Sequence, residues 1–121
     1  MIGGGWIMNH MMGLYDEPFA LMKNGRKTVE VRLNDEKRQR LRVGDHIDFI
    51  KAPVQDDRLK MIVTELKKFE SFRELYESVP IEDLGEEGMS VNQLLNETYL
   101  IYSQESEQKF GALAIYVEQV E

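Results

Sequence analysis

Residues 25–33 read GRKTVEVRL, and this short stretch decides how the rest of the chain is interpreted. Gly25 follows Asn24 at the end of a predicted helix, where a glycine can adopt the left-handed conformation that closes a helix. From position 28 onward, apolar and polar residues alternate with a period of two: Val29, Val31 and Leu33 against Thr28, Glu30 and Arg32. Such alternation is typical of a half-buried strand, so 28–33 is predicted to carry one apolar and one polar face.

Outward from this strand, capping residues and alternation define the remaining elements. We predict helices over 16–24, 34–41, 71–79, from 90 onward and over 103–109, and strands over 28–33, 46–50, 59–66 and 112–120. Few strands, some joined only by turns, favour an α+β fold with a small curved or barrel-like sheet over a doubly wound one. Within this one curved sheet, the residues expected to be buried are Val29, Val31, Ile47, Phe49, Val63 and Ile115.

Length and composition limit the class of protein. The chain has 121 residues and no cysteine, which fits one domain and excludes a disulfide framework, a thiolate metal site and a cysteine nucleophile. No stretch is apolar enough to span a membrane, and the N-terminus lacks the basic start of a signal peptide. We therefore expect a cytoplasmic protein with a single domain over 8–121, and we interpret 1–7 as an upstream start or an added leader.

Charge is distributed unevenly along the chain. Residues 23–42 contain eight basic and three acidic side chains, a net charge of +5, whereas the rest contains seven basic and nineteen acidic ones, a net charge of −12. An acidic protein with one basic stretch can hold a small anionic group or a short strand at one place, but it does not coat itself with nucleic acid. Alternatively, 35–42 is a solvated helix face, or docks an acidic protein partner.

The polar face of the first strand carries the residues best suited to chemistry. Arg32 can hold a phosphate or carboxylate with two hydrogen bonds, and Glu30 can accept from the amino edge of a base or act as a general base. A partly buried Lys27 at the rim could activate water. The plainer alternative is a solvent face on which Glu30 and Arg32 are charge partners. His10 and His46 lack metal-ligand spacing, so neither a metal nor a cofactor is expected.

Taken together, these motifs resemble the ASCH domain family of the PUA-like superfamily over about 8–120. The resemblance rests on Gly25-x-Lys27-x-x-Glu30-x-Arg32, on 33–38, on Val43-Gly44-Asp45-x-Ile47-x-Phe49, and on Tyr102-Ser103, Glu107 and Phe110-Gly111 near the end. It implies a small PUA-like β-barrel with short helices packed on it, and a cleft beside the signature strand that takes RNA, a nucleotide or a nucleoside. The ligand-binding residues expected from this are Lys27, Thr28, Glu30, Arg32, Asn34 and Arg38.

One branch of this family consists of amidohydrolases acting on N4-acetylcytidine with a Lys, a Thr and a Glu. The resemblance places that Lys at Lys27, puts Glu30 where the branch has Thr, and matches the Glu to Glu87. Because a charged residue replaces the hydroxyl, we expect a binding module for RNA or a nucleotide or nucleoside, with little or no hydrolysis of N4-acetylcytidine. A small amidohydrolase using Lys27, Glu30 and Glu87, and a protein-interaction module using the basic 35–42 helix, are the alternatives.

Overall fold

The computed structural model describes residues 6–120, so most of the leader predicted over 1–7 lies outside the described residues. The strands are β1 (Asn9–Tyr15), β2 (Val29–Leu33), β3 (His46–Ala52), β4 (Arg58–Phe69) and β5 (Ala112–Gln119). The α-helices are α1 (Asp16–Lys23), α2 (Phe72–Ser78), α3 (Val91–Thr98) and α4 (Gln104–Phe110), and two 3-10 turns cover Arg38–Arg40 and Ile81–Leu84.

The five strands form one curled sheet in the order β1-β3-β4-β5-β2. β1 runs parallel to β3, and the other neighbours are antiparallel. The two edge strands, β1 and β2, lie close enough for the Arg32 guanidinium on β2 to donate to the Gly13 carbonyl on β1 at 2.7 Å. The sheet is therefore a half-barrel whose open seam lies between β1 and β2. The predicted α+β fold with a small barrel-like sheet is confirmed.

Two hydrophobic clusters hold the fold together, one on each side of the sheet. The first lies inside the curl beneath α1 and includes Phe19, Ile47, Phe49, Val63 and Ile115; the second lies between the sheet and α2 and α3 and includes Val29, Leu33, Phe72, Leu75 and Leu94. Of the six residues predicted to be buried, five are buried. Val31 is only half-buried, because its side chain faces the open seam of the sheet.

Strand β1 was not predicted from the sequence. Its residues do alternate, with Met12 and Leu14 buried and their neighbours exposed, but Asn, Met and Gly have little preference for strands. Asp45 fixes the start of this strand against β3 by accepting from the Met8 amide at 3.1 Å and from His10 Nε2 at 2.9 Å. Burial alone would raise the pKa of Asp45, but these hydrogen bonds, with one from the Arg42 amide, lower it below its ordinary 3.8.

The predicted helix over 34–41 is wrong, and only the 3-10 turn Arg38–Arg40 forms there. Asp35 rather than Asn34 supports this turn, since its carboxylate accepts from the Arg38 amide at 3.0 Å. Asn34 is drawn away because its own amide donates to the Gly111 carbonyl at 2.9 Å, which extends the pairing of β2 with β5. The basic segment is therefore a compact turn and presents no amphipathic helix to a partner.

Helix starts were predicted more accurately where a serine precedes them. Ser71, Ser90 and Ser103 each accept from the backbone amide three residues later, at 3.0–3.1 Å. Ser90 and Gln93 form the complete capping box that their spacing indicated. At α1, by contrast, Asp16 is the first helical residue and Tyr15 occupies the N-cap without a side-chain hydrogen bond.

Candidate functional site

A pocket of about 460 Å³ opens at the seam between the two edge strands. β1 and β2 form its walls, the 3-10 turn Ile81–Leu84 and the residues after it form its floor, and α3 closes one side. A cavity of this size in a small domain is suited to one small organic ligand. It is lined by the polar residues Lys27, Glu30, Arg32, Glu86, Glu97 and Thr98 and by a larger apolar and aromatic surface.

Lys27 is buried because the chain turns sharply after α1. The amides of Arg26 and Lys27 both donate to the Leu21 carbonyl, at 2.9 and 3.1 Å, which directs the Lys27 side chain inward. The side chain then passes Gly85, which has a φ of +73° and where an added Cβ would lie 3.2 Å from the Lys27 Cβ. Glycine is therefore required at 85 both by its backbone conformation and by the approach of Lys27.

Lys27, Glu30 and Arg32 form a buried charged triad at the centre of the pocket. Lys27 Nζ lies 3.2 Å from Glu30 Oε1, and Arg32 places Nε at 2.7 Å and Nη2 at 2.6 Å from Glu30 Oε2. Glu30 is only 7% exposed, so the reading of this strand face as a solvent face is wrong. Burial alone would raise the pKa of Glu30, but the charges and hydrogen bonds of Lys27 and Arg32 outweigh it and lower the pKa.

Two further carboxylates, Glu86 and Glu97, line the same pocket. Glu86 is half-buried, whereas Glu97 is exposed on α3. Burial raises the pKa of Glu86, and the nearby charge of Glu97 adds to the rise while Lys27 opposes it. With Glu86 and Glu97 ionised, the lining contains two cations and three anions, a formal net charge of −1. The lining therefore carries a small excess of carboxylates, although the basic residues of the signature strand suggested a positively charged site.

Three tyrosines line the pocket: Tyr15 at the end of β1, Tyr76 from α2 and Tyr102 from the loop before α4. Tyr76 and Tyr102 form its aromatic wall. The Tyr76 hydroxyl shares a 2.6 Å hydrogen bond with Thr98 Oγ1, and burial raises the pKa of Tyr76 to about 12. Tyr102 stacks on Phe72 with ring centroids 5.5 Å apart. Tyr76 and Tyr102 therefore pack against the second hydrophobic cluster and also present surface to a ligand in the pocket.

The structure brings together part of the predicted site. Lys27, Glu30 and Arg32 line the pocket, whereas Thr28, Asn34, Arg38 and Glu87 do not. Arg38 pairs with Asp35 at 2.8 Å, outside the pocket that Lys27 and Arg32 line. Glu87 is exposed, and its neighbour Glu86 lines the pocket instead. The sequence indicated an acidic residue from this segment, but it did not show which of the two adjacent glutamates faces the pocket.

Arg32 differs most from its expected role. Two of its nitrogens are held by Glu30, and Nη2 also reaches the Gly13 carbonyl. A guanidinium held in this way joins the two edges of the half-barrel and orients Glu30. It leaves Nη1 as the nitrogen outside these bonds, so a bidentate grip on a phosphate would require the triad to break.

Within residues 6–120, no three His, Asp or Glu side chains are arranged to hold a metal ion. Among the same residues, no helix combines the length and apolar character needed to cross a bilayer.

Comparison with known proteins identifies the family. The family model of the ASCH domain matches residues 12–121. The structure is similar to that of hypothetical protein PH0355, with a TM-score of 0.84 and 34% identity over 93% of this chain and 100% of that one. It is also similar to that of protein PF0455 from Pyrococcus furiosus, with a TM-score of 0.71 and 34% identity over 94% of this chain and 99% of that one.

A more distant similarity concerns the fold alone. Protein EF3133 from Enterococcus faecalis is 16% identical with a TM-score of 0.59, over 93% of this chain and 76% of that one. No curated protein matches the chain. The family match covers nearly all of the described residues, including every residue of the triad, and the chain therefore belongs to the ASCH domain family.

Proposed function

We propose that this protein binds a single nucleobase, presented by a nucleoside, a nucleotide or an unpaired position of RNA, in the pocket between β1 and β2. The observation that carries the proposal is the buried triad of Lys27, Glu30 and Arg32 next to the aromatic wall of Tyr76 and Tyr102. The chain belongs to the ASCH domain family. The resemblance to this family and its PUA-like superfamily implies the same class of ligand.

Base recognition needs a planar apolar surface and fixed polar groups at one edge. The tyrosine rings supply the surface, and Tyr102 is held rigidly by its stacking on Phe72. Glu30 and Glu86 supply acceptors for the amino and imino hydrogens of a base, and Arg32 Nη1 supplies a donor. Because the triad is already ordered by its own contacts, little freedom is lost when a ligand enters.

Calorimetric titration with adenosine, cytidine, guanosine and uridine, and with a short unpaired RNA, tests this proposal. A matched pair of variants locates the binding: Ile101 lines the pocket at its mouth, while neighbouring Leu100 is 87% exposed and does not. Ile101→Ala should weaken binding several-fold through lost contact area, and Leu100→Ala should not. Absence of binding by every ligand at millimolar concentration would refute the proposal, as would equal effects of the two variants.

Hydrolysis of an acylated nucleoside is the second candidate, and the placement of Glu86 favours it. A carboxyl with a raised pKa in the same pocket as Lys27 is suited to move a proton between water and a leaving amine. In such a reaction, water attacks the amide carbonyl, the C–N bond breaks, and the freed amine takes a proton. Chromatography of N4-acetylcytidine incubated with the protein tests it: cytidine should form with the unmodified chain and not with Glu86→Gln, and no product from the unmodified chain excludes it.

A further inference from the structure

We infer that the pocket selects its ligand by charge: it takes a nucleoside whose base carries a positive charge and rejects one that carries a phosphate. This inference rests on the proposed base-binding function and narrows its ligand. The reason is that the two cationic side chains of the pocket are paired with acceptors of the protein, whereas two of its carboxylates are not paired with a cation.

Both cations of the pocket are committed to protein acceptors. Lys27 Nζ has three close acceptors, namely the Val29 carbonyl at 2.9 Å, the Leu84 carbonyl at 3.2 Å and Glu30 at 3.2 Å, and an ammonium group has three hydrogens. Arg32 uses Nε and Nη2 on Glu30 and the Gly13 carbonyl. Only Nη1 of Arg32 lies outside these bonds, so a phosphate held by two hydrogen bonds from Arg32 would have to displace Glu30, which is itself buried.

The carboxylates of the pocket are not committed in the same way. Among residues 6–120, neither Glu86 nor Glu97 has a basic group within ion-pair distance. The negative charges of Glu17 and Glu30 also disfavour ionisation of Glu86 and help to raise its pKa. The unneutralised charge of the site is therefore negative, and a cationic ligand in the pocket would relieve it.

The aromatic wall favours the same ligand class. A delocalised cation over the face of a tyrosine is attracted by the ring's quadrupole as well as by its area. Tyr76 and Tyr102 line the pocket together with the carboxylates, so a flat cationic base would meet tyrosine surface and carboxylate charge at once. A 5′-phosphate on the same ligand would add negative charge to a site that already has a formal excess of it.

Methylated bases with and without charge provide the test. Calorimetry at pH 7 and low salt would compare 3-methylcytidine, a cation, with cytidine and with 5-methylcytidine, which carries a methyl group but no charge. We expect 3-methylcytidine to bind at least about tenfold more tightly than both, equivalent to about 1.4 kcal/mol. Cytidine 5′-monophosphate should bind more weakly than cytidine, and this difference should shrink as salt is added.

The variant Glu86→Gln assigns the preference to the pocket carboxylate. It should reduce the advantage of 3-methylcytidine over cytidine. Glu82→Gln, which changes an exposed carboxylate of the nearby 3-10 turn outside the pocket, should leave that advantage unchanged. If no nucleoside binds, the base-binding proposal and this inference both fall. If neutral nucleosides bind but the cation binds no more tightly, or the monophosphate binds best, the inference alone is refuted.

Discussion

Replacing Glu30 by Gln tests the triad directly, because it removes one negative charge without changing the shape of the side chain. Glu30 and Lys27 are 7% and 6% exposed, and Glu30 lies 3.2 Å from Lys27 and 2.6 Å from Arg32. Without the carboxylate, a buried ammonium group loses its counter-charge, and a carboxamide turns donor hydrogens toward two cations. Removing one partner of a buried ion pair lowers the free energy of unfolding by about 3–5 kcal/mol. Because the carboxamide of Gln still offers an acceptor oxygen, we expect Glu30→Gln to fall near the lower value, about 3 kcal/mol.

Urea denaturation followed by circular dichroism measures this cost. With a slope of about 1–3 kcal/mol per molar urea, a loss of about 3 kcal/mol lowers the unfolding midpoint by about 1 M or more. The matched control is Glu65→Gln, since Glu65 is an exposed glutamate 3.8 Å from Lys67. A surface pair of this kind contributes less than about 1 kcal/mol.

The double variant Lys27→Met with Glu30→Gln separates charge from packing. If the cost of Glu30→Gln arises from the uncompensated ammonium, an apolar side chain at Lys27 should restore part of the lost stability. A Glu30→Gln variant no less stable than Glu65→Gln, or a double variant whose two costs simply add, would refute the description of these residues as a coupled buried triad.

Three further predictions concern residues outside the triad. Gly85→Ala should cost more stability than Gly88→Ala in thermal unfolding, because both positions have positive φ but only at Gly85 does an added Cβ meet side chains within 4 Å; equal costs would show that the contact is unimportant. Glu107→Gln should lose about 1–3 kcal/mol, because this buried carboxylate accepts from a backbone amide at 2.7 Å and a tyrosine hydroxyl at 2.8 Å, whereas exposed Glu105→Gln should lose almost nothing in the same urea titration. Because the pKa of Asp45 is lowered in the folded chain, its contribution to the free energy of unfolding is complete above about pH 4 and is lost as the pH falls through the folded-state pKa. Between pH 6 and 2, the free energy of unfolding should therefore fall less in Asp45→Asn than in the unmodified chain, and identical pH profiles would contradict this.

The sequence predicted those parts of the fold that depend on local pattern. Strands β2, β3 and β5 were found because a period of two places apolar residues on a buried face, and the serine-capped helices were found because capping is a contact over three residues. Strand β1 was missed because its residues have weak strand preference and it is held by Asp45, a partner distant in sequence. The helix over 34–41 failed because Asn34 pairs with Gly111, which no local pattern shows.

The same distinction applies to the site. Lys27, Glu30 and Arg32 could be singled out because one short stretch of chain carries all three. Glu86 and Glu97 could not, since they enter the pocket only when the 3-10 turn packs on β2 and α3 packs on α2 in the folded chain. The role of Arg32 was misjudged for a related reason: its Gly13 acceptor lies on the strand that the sequence did not reveal.

The most direct test of base binding at the seam of the half-barrel is a map of backbone amide shifts in an NMR titration with a nucleoside. Base binding there should produce the largest shifts at Gly13, Val31 and Thr98, which lie on three different elements around one pocket. Amides near Arg38, outside the pocket, should remain in place. Shifts concentrated at Arg38 and its basic neighbours, or no shifts at any concentration, would contradict it.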